Sequence, residues 1–114
     1  MKVLIAGSKS VDDYALVADA MKNCGFTITE VVCGNARGID TLGYRWAQTH
    51  GKRIKQIHAD WDGDGTSLGD SKLVQYCDAA VIIWDGQSRG TRRLVNAMIK
   101  SNKPYYLRLT ELED

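Results

Sequence analysis

Three loops hold the residues best suited to gripping an anion: Gly7-Ser8-Lys9-Ser10, Gly34-Asn35-Ala36-Arg37-Gly38 and Asp85-Gly86-Gln87-Ser88-Arg89-Gly90-Thr91. Each follows an apolar, β-branched run and leads into a stretch with helical spacing. A strand that enters a helix through glycine leaves unpaired backbone N–H groups at the positive end of the helix dipole, where phosphate binds. Arginines at 37 and 89 add a planar fork that matches phosphate oxygens. Together the loops suggest a pocket for a phosphorylated or nucleotide-like ligand.

The second loop lacks the first-strand position and the G-x-G-x-x-G spacing of a dinucleotide fingerprint. Gly34 permits a tight turn, Asn35 tolerates an unusual backbone angle, Gly38 allows close approach, and Arg37 reaches phosphate. The plain alternative is a strand-to-helix turn with a solvated arginine. In the third loop, Gly86-Gln87-Ser88-Arg89-Gly90 spells G-x-S-x-G, the pattern of a nucleophile elbow. A triad in that order needs a histidine after the serine, yet His50 and His58 both precede it. A phosphate cradle built from Ser88, Gly90 and Thr91, with Arg89 or Arg92 neutralising charge, fits better than a serine nucleophile; a polar turn with a Thr91 cap is the bland reading.

Asp60-Trp61-Asp62-Gly63-Asp64-Gly65 opens like a calcium loop, but Ser71 stands at the twelfth position, where a bidentate glutamate belongs. Trp61 stacking on a base and Asp60 accepting ribose hydroxyls suit this loop better, beside a tryptophan that is simply buried. His50 on the inner stripe of a helix and His58 at a strand end read as structural. Cys24, Cys33 and Cys77 have no Cys-x-x-Cys pair and read as small, reduced, buried hydrophobes. Arg92, Arg93 and Lys100 read as a solvated helix face. No metal and no cofactor is expected.

The elements that position these loops follow from periodicity. Apolar runs at Val3–Ala6, Ile28–Cys33, Ile54–Ile57, Ala79–Trp84 and Tyr105–Leu109 have strand length and are mostly continuous, as in strands covered on both faces. Between them lie helical stripes: Val11, Tyr14, Val17, Ala18 and Met21 after a capping-box-like Ser10; Ile39, Leu42, Gly43, Trp46, Ala47 and His50, stopped by Gly51; Leu73, Val74 and Cys77; and Leu94, Val95, Met98 and Ile99, closed before Pro104. The alternation predicts a doubly wound α/β domain spanning residues 1–114, with a five-stranded parallel sheet of order 3-2-1-4-5 and helices on both faces. In such sheets ligands bind at the carboxyl ends of the strands, and all three glycine loops fall on that edge.

With 114 residues, 44% apolar and 25% charged, the chain has the makings of one soluble globule. A net charge of +1 removes the broad electrostatic case for nucleic acid. The opening run Met1–Ile5 is too short for a signal peptide and no stretch has membrane length, so the expectation is a cytoplasmic protein without membrane contact. Glu111–Asp114 reads as a frayed end.

At Ala6-Gly7-Ser8-Lys9, Cys33-Gly34-Asn35-Ala36-Arg37-Gly38-Ile39-Asp40, Ala59-Asp60-Trp61-Asp62 and Trp84-Asp85-Gly86-Gln87-Ser88-Arg89-Gly90-Thr91, the sequence resembles the small YspA-like branch of the SLOG superfamily. The resemblance implies a Rossmann-like sheet related to LOG proteins and to the DNA-processing protein DprA. It also implies a pocket for nucleotide-derived molecules, in a bacterial or phage setting of nucleotide signalling or genetic conflict. Two positions depart from the family pattern: Lys9 replaces an arginine, and Gly69-Asp70 replaces an arginine-asparagine pair. The expected ligand is an ADP-ribose-like or cyclic nucleotide species, held by Gly7, Ser8, Lys9, Gly34, Asn35, Ala36, Arg37, Gly38, Asp40, Asp60, Trp61, Asp85, Gly86, Ser88, Arg89, Gly90 and Thr91. The rival is a LOG-like hydrolase of the N-glycosidic bond in a nucleoside monophosphate, for which Asp40, Asp60 and Asp85 are the candidate acids. Arg92-Arg93 stands where the LOG motif supplies glutamate. A homodimer is the expected assembly.

Overall fold

The computed structural model describes residues 1–7, 13–33, 39–57, 73–87 and 89–110, without the side chains of Ile39 and Asp40. The elements are β1 (Lys2–Gly7), α1 (Tyr14–Asn23), β2 (Glu30–Cys33), α2 (Ile39–Thr49), β3 (Arg53–Gln56), a helical turn α3 at residues 73–76, β4 (Ala79–Trp84), α4 (Arg89–Lys100) and β5 (Tyr105–Leu109). All neighbouring strands pair in parallel, in the order β3-β2-β1-β4-β5. This is the doubly wound sheet predicted from the alternation of strand and helix.

Burial explains the order. β1 and β4 are the two long apolar strands, and Val3, Leu4, Ile5 and Ala79–Ile83 are wholly buried in the middle of the sheet. Odd-numbered residues of these strands face one core with Val17 and Met21 of α1 and Trp46 and Ala47 of α2. Leu4, Ala80 and Ile82 face the other, with Leu73 and Val74 of α3 and Leu94, Val95 and Met98 of α4. β3 and β5 lie at the edges and are largely exposed, so the continuous burial predicted for most strands holds for β1, β2 and β4 only.

Several local expectations change. α1 is capped by Asp13, whose carboxylate accepts the Ala15 N–H at 3.0 Å, and not by Ser10. The helix therefore starts after Val11. Asp caps a helix about as well as serine does, and its negative charge also faces the positive dipole end. β2 begins at Glu30 rather than Ile28, although Ile28 is buried in the first core. α4 ends before Pro104: Asn102 takes a left-handed φ of 54°, and the N–H groups of Asn102 and Lys103 bond to Ile99 and Met98 carbonyls. That is a Schellman stop. Gly51, at φ 65°, ends α2 in the same way. His50 lies just beyond α2, exposed rather than on its inner face, with its ring stacked 4.3 Å from that of Trp46. Cys33 and Cys77 are buried as expected, but Cys24 is only partly so.

α2 lies unusually close to the sheet. A Cβ built at Gly43 would stand 2.2 Å from Cγ2 of Ile5, so only glycine lets this helix descend onto β1. On the opposite face, the Lys103 ammonium donates to the carbonyls of Gln75 and Cys77 at 3.2 and 2.7 Å, and also to that of Val74. One side chain thus satisfies the open carbonyl end of α3 and ties it to the end of α4. Gly43→Ala is expected to lower stability in urea unfolding: overpacking costs about 1–3 kcal/mol, against ~1 kcal/mol gained in helix propensity. Combining it with Ile5→Ala should cost less than the sum of the two single changes, because the clash is with the Ile5 methyl.

Candidate functional site

Parallel pairing brings the ends of β1, β2 and β4 to one edge of the sheet, and α1, α2 and α4 begin there. Gly7, which ends β1, pairs in register with Ile83, one residue before the end of β4. The first and third glycine loops therefore leave the sheet side by side. α1 and α2 cover the first core and α3 and α4 the second, so the winding reverses between β1 and β4. A crevice opens beyond the strand ends at such a reversal, because the two connecting chains leave towards opposite faces.

The third loop is built by its own side chains. Asp85 is half-buried, and its Oδ1 accepts the Gln87 N–H at 2.8 Å, an Asx turn closed over Gly86 at φ 82°. α4 follows at once. Arg89 and Gly90 are exposed at its start, Thr91 is buried, and a Cβ at Gly90 would meet nothing within 4 Å. Arg92 and Arg93 are exposed, as expected of a solvated face.

The three helix starts differ in charge. α1 already has the Asp13 carboxylate on its N-terminal N–H groups, and Asp40 is the second residue of α2. The first turn of α4 contains no acid and contains Arg89 and Arg92. A carboxylate at a helix start repels an incoming anion and competes for the same donors, so α4 is the start best disposed towards phosphate.

Of the expected site residues, Gly7, Asp85, Gly86, Arg89, Gly90 and Thr91 lie on this edge, and Asp40 is in the first turn of α2. Ser8, Lys9, Gly34, Asn35, Ala36, Arg37, Gly38, Asp60, Trp61 and Ser88 lie outside the described residues, as do His58, the calcium-like run at 60–65 and Gly69-Asp70. Among the described residues no group of three or more His, Cys, Asp or Glu is placed to hold a metal.

Sequence reading missed a polar clamp under the second core. The Tyr76 hydroxyl of α3 donates to Glu30 Oε1 at 2.5 Å, and the Lys2 ammonium sits 4.4 Å from the centre of the tyrosine ring. The Glu30 carboxylate, by accepting that proton, holds the phenol above its ordinary pKa. Burial likewise pushes the adjacent Cys77 thiol up, against the opposing pull of Lys103, which keeps it neutral and inert. Nothing in residue spacing pairs Glu30 with Tyr76, since the contact exists only once β2 and α3 share a face.

Comparison with family models gives a match over residues 1–63 to the YspA, cpYpsA-related SLOG family. The chain belongs to that family. No curated protein and no solved structure matches it. The SLOG match takes in β1 to β3 and the first two glycine loops, and the third loop joins them through the β1–β4 pairing. No helix among the described residues of this SLOG domain is long and apolar enough to cross a membrane.

The Asx turn yields a clean substitution test. Asp85→Asn keeps an oxygen for the Gln87 N–H and should leave the melting temperature near that of the parent. Asp85→Ala removes it and should cost about 0.5–1.5 kcal/mol by chemical denaturation.

Proposed function

We propose that this SLOG-family domain binds a nucleotide-derived small ligand, of ADP-ribose-like or cyclic-nucleotide type, across the carboxyl ends of β1, β2 and β4. The observation that carries the reading is the acid-free start of α4, standing at the winding reversal beside the end of β1. In this reading the N–H groups around Gly90 and Thr91 seat a phosphate, with Arg89 supplying charge. Gly7, Ser8 and Lys9 face one side of the ligand and Asn35, Arg37 and Asp40 the other. Trp61 stacks on the base and Asp60 accepts ribose hydroxyls.

The hydrolase reading gains less from the same geometry. Of its three candidate acids, Asp85 already has Oδ1 engaged by the Gln87 N–H within its own turn. A group that acts as general acid or base must reach the reacting atom of the substrate, whereas this carboxylate shapes the loop.

Calorimetry and thermal shift against a panel of nucleotides should show saturable binding by a phosphorylated ligand, and Arg37→Ala should weaken it. Gly90→Glu separates binding from folding. The open space at Gly90 accepts the side chain, and an acid in the first turn should stabilise α4 by roughly 0.3–1 kcal/mol. The same charge should weaken phosphate binding by about tenfold, equivalent to ~1.4 kcal/mol. A panel without any binder, or affinity indifferent to both substitutions, would remove the proposal. Release of free base from a nucleoside monophosphate, lost on Asp→Asn change, would replace it with the hydrolase.

A further inference from the structure

Among the described residues, β5 ends the sheet with no strand beside its outer edge, and one of its faces is apolar. The Ala80 N–H bonds to the Pro104 carbonyl and the Thr110 N–H to the Trp84 carbonyl. With Ala80 in register with Tyr105 and Trp84 with Leu109, a parallel ladder turns Tyr106 and Arg108 towards β4. The backbone N–H and C=O groups of Tyr105, Leu107 and Leu109 therefore point outward. Their side chains share the sheet face covered by α4, and all three are exposed, Leu109 to 58%, as is Ile99 of α4 at 52%. Edge strands normally deter pairing with a charge, a bulge or a proline among the outward residues. Here Pro104 stands before the strand, and the Arg108 side chain lies on the opposite face of the sheet from the apolar row, where its guanidinium bonds Asp19 of α1 at 2.7 Å.

We infer that β5 pairs with β5 of a second copy of this chain, antiparallel across a two-fold axis at Leu107, joining two sheets into one. The pattern is self-complementary about that residue. Leu107 meets Leu107, and Tyr105 of each copy meets Leu109 of the other, so every outward N–H faces an outward C=O and every exposed apolar side chain on the strand gains an apolar neighbour. Parallel pairing could not close on two copies. The axis keeps both α4 helices on one face, with the apolar row as the floor between them, and turns the two strand-end crevices in opposite directions. The pairing is independent of what the crevice binds.

The full chain is expected to show twice its monomer mass in sedimentation or light scattering, and Leu107→Lys, which puts two ammonium groups together on the axis, should return it to monomer. In a Cys24→Ser background, Leu107→Cys should cross-link almost completely under mild oxidation, since directly opposed hydrogen-bonded residues have Cα atoms about 5.5 Å apart. Tyr105→Cys should cross-link poorly, its opposite number being Leu109. If Leu107→Lys unfolds the chain, the cysteine comparison decides. A monomer at every concentration, a dimer indifferent to Leu107→Lys, or cross-linking no better at 107 than at 105 would each overturn the pairing.

Discussion

A strand buried on both faces can contain no charge, and in this chain β1 and β4 meet that condition along most of their length. Val3, Leu4 and Ile5 lie against Ala79–Ile83 at the centre of the sheet, without exposure to solvent. Everything else is arranged around this pair. The helices must cover both of its faces, so the chain winds one way from β1 and the other way from β4, and the crevice is the geometric result. Gly43 serves the same requirement: β1 has a branched Ile5 facing α2, and the helix reaches it because position 43 has no side chain.

The second core is less self-sufficient. α3 is a single helical turn, too short to satisfy its own backbone, and it is held from outside by the Lys103 ammonium on its carbonyl end and by Tyr76 on Glu30. Both contacts lie away from the strand-end edge. The sheet, with α1, α2 and α4, therefore fixes the crevice, while α3 depends on polar ties to β2 and to the end of α4. These groups are half-buried, so loss of one tie should cost the net worth of a hydrogen bond, ~0.5–1.5 kcal/mol.

The parallel sheet was legible in the alternation of strand and helix, and the extent of β4 in its continuous apolar run, because hydrophobic pattern reports burial directly. Helix starts were less so. Ser10 and Asp13 both qualify as caps by type, and residue type alone does not choose between them. The stop of α4 before Pro104 was legible, but not its device, since Asn102 acts through a left-handed backbone angle that residue type alone does not announce. Gly43 was visible only as a member of a stripe; its clearance over Ile5 is a distance between two elements and has no trace in either one alone.

At the crevice, the ambiguity in the sequence was chemical. Asp85 reads equally well as an acid for catalysis and as a turn former, since both need a short carboxylate beside glycine. The bond to the Gln87 N–H gives it the second role, and that role has a consequence for charge. One carboxylate oxygen is tied back into the turn, while the first turn of α4 itself contains Arg89, Gly90 and Thr91 and no acid. At α1 the cap Asp13 does the reverse, filling the helix start with negative charge. The two aspartates thus distinguish two helix starts that the glycine pattern alone presents as equivalent. Under the proposed reading, an anion at the reversal between β1 and β4 would meet the Asp13 charge on the α1 side and the acid-free first turn of α4 on the other, which would give an asymmetric ligand a defined orientation.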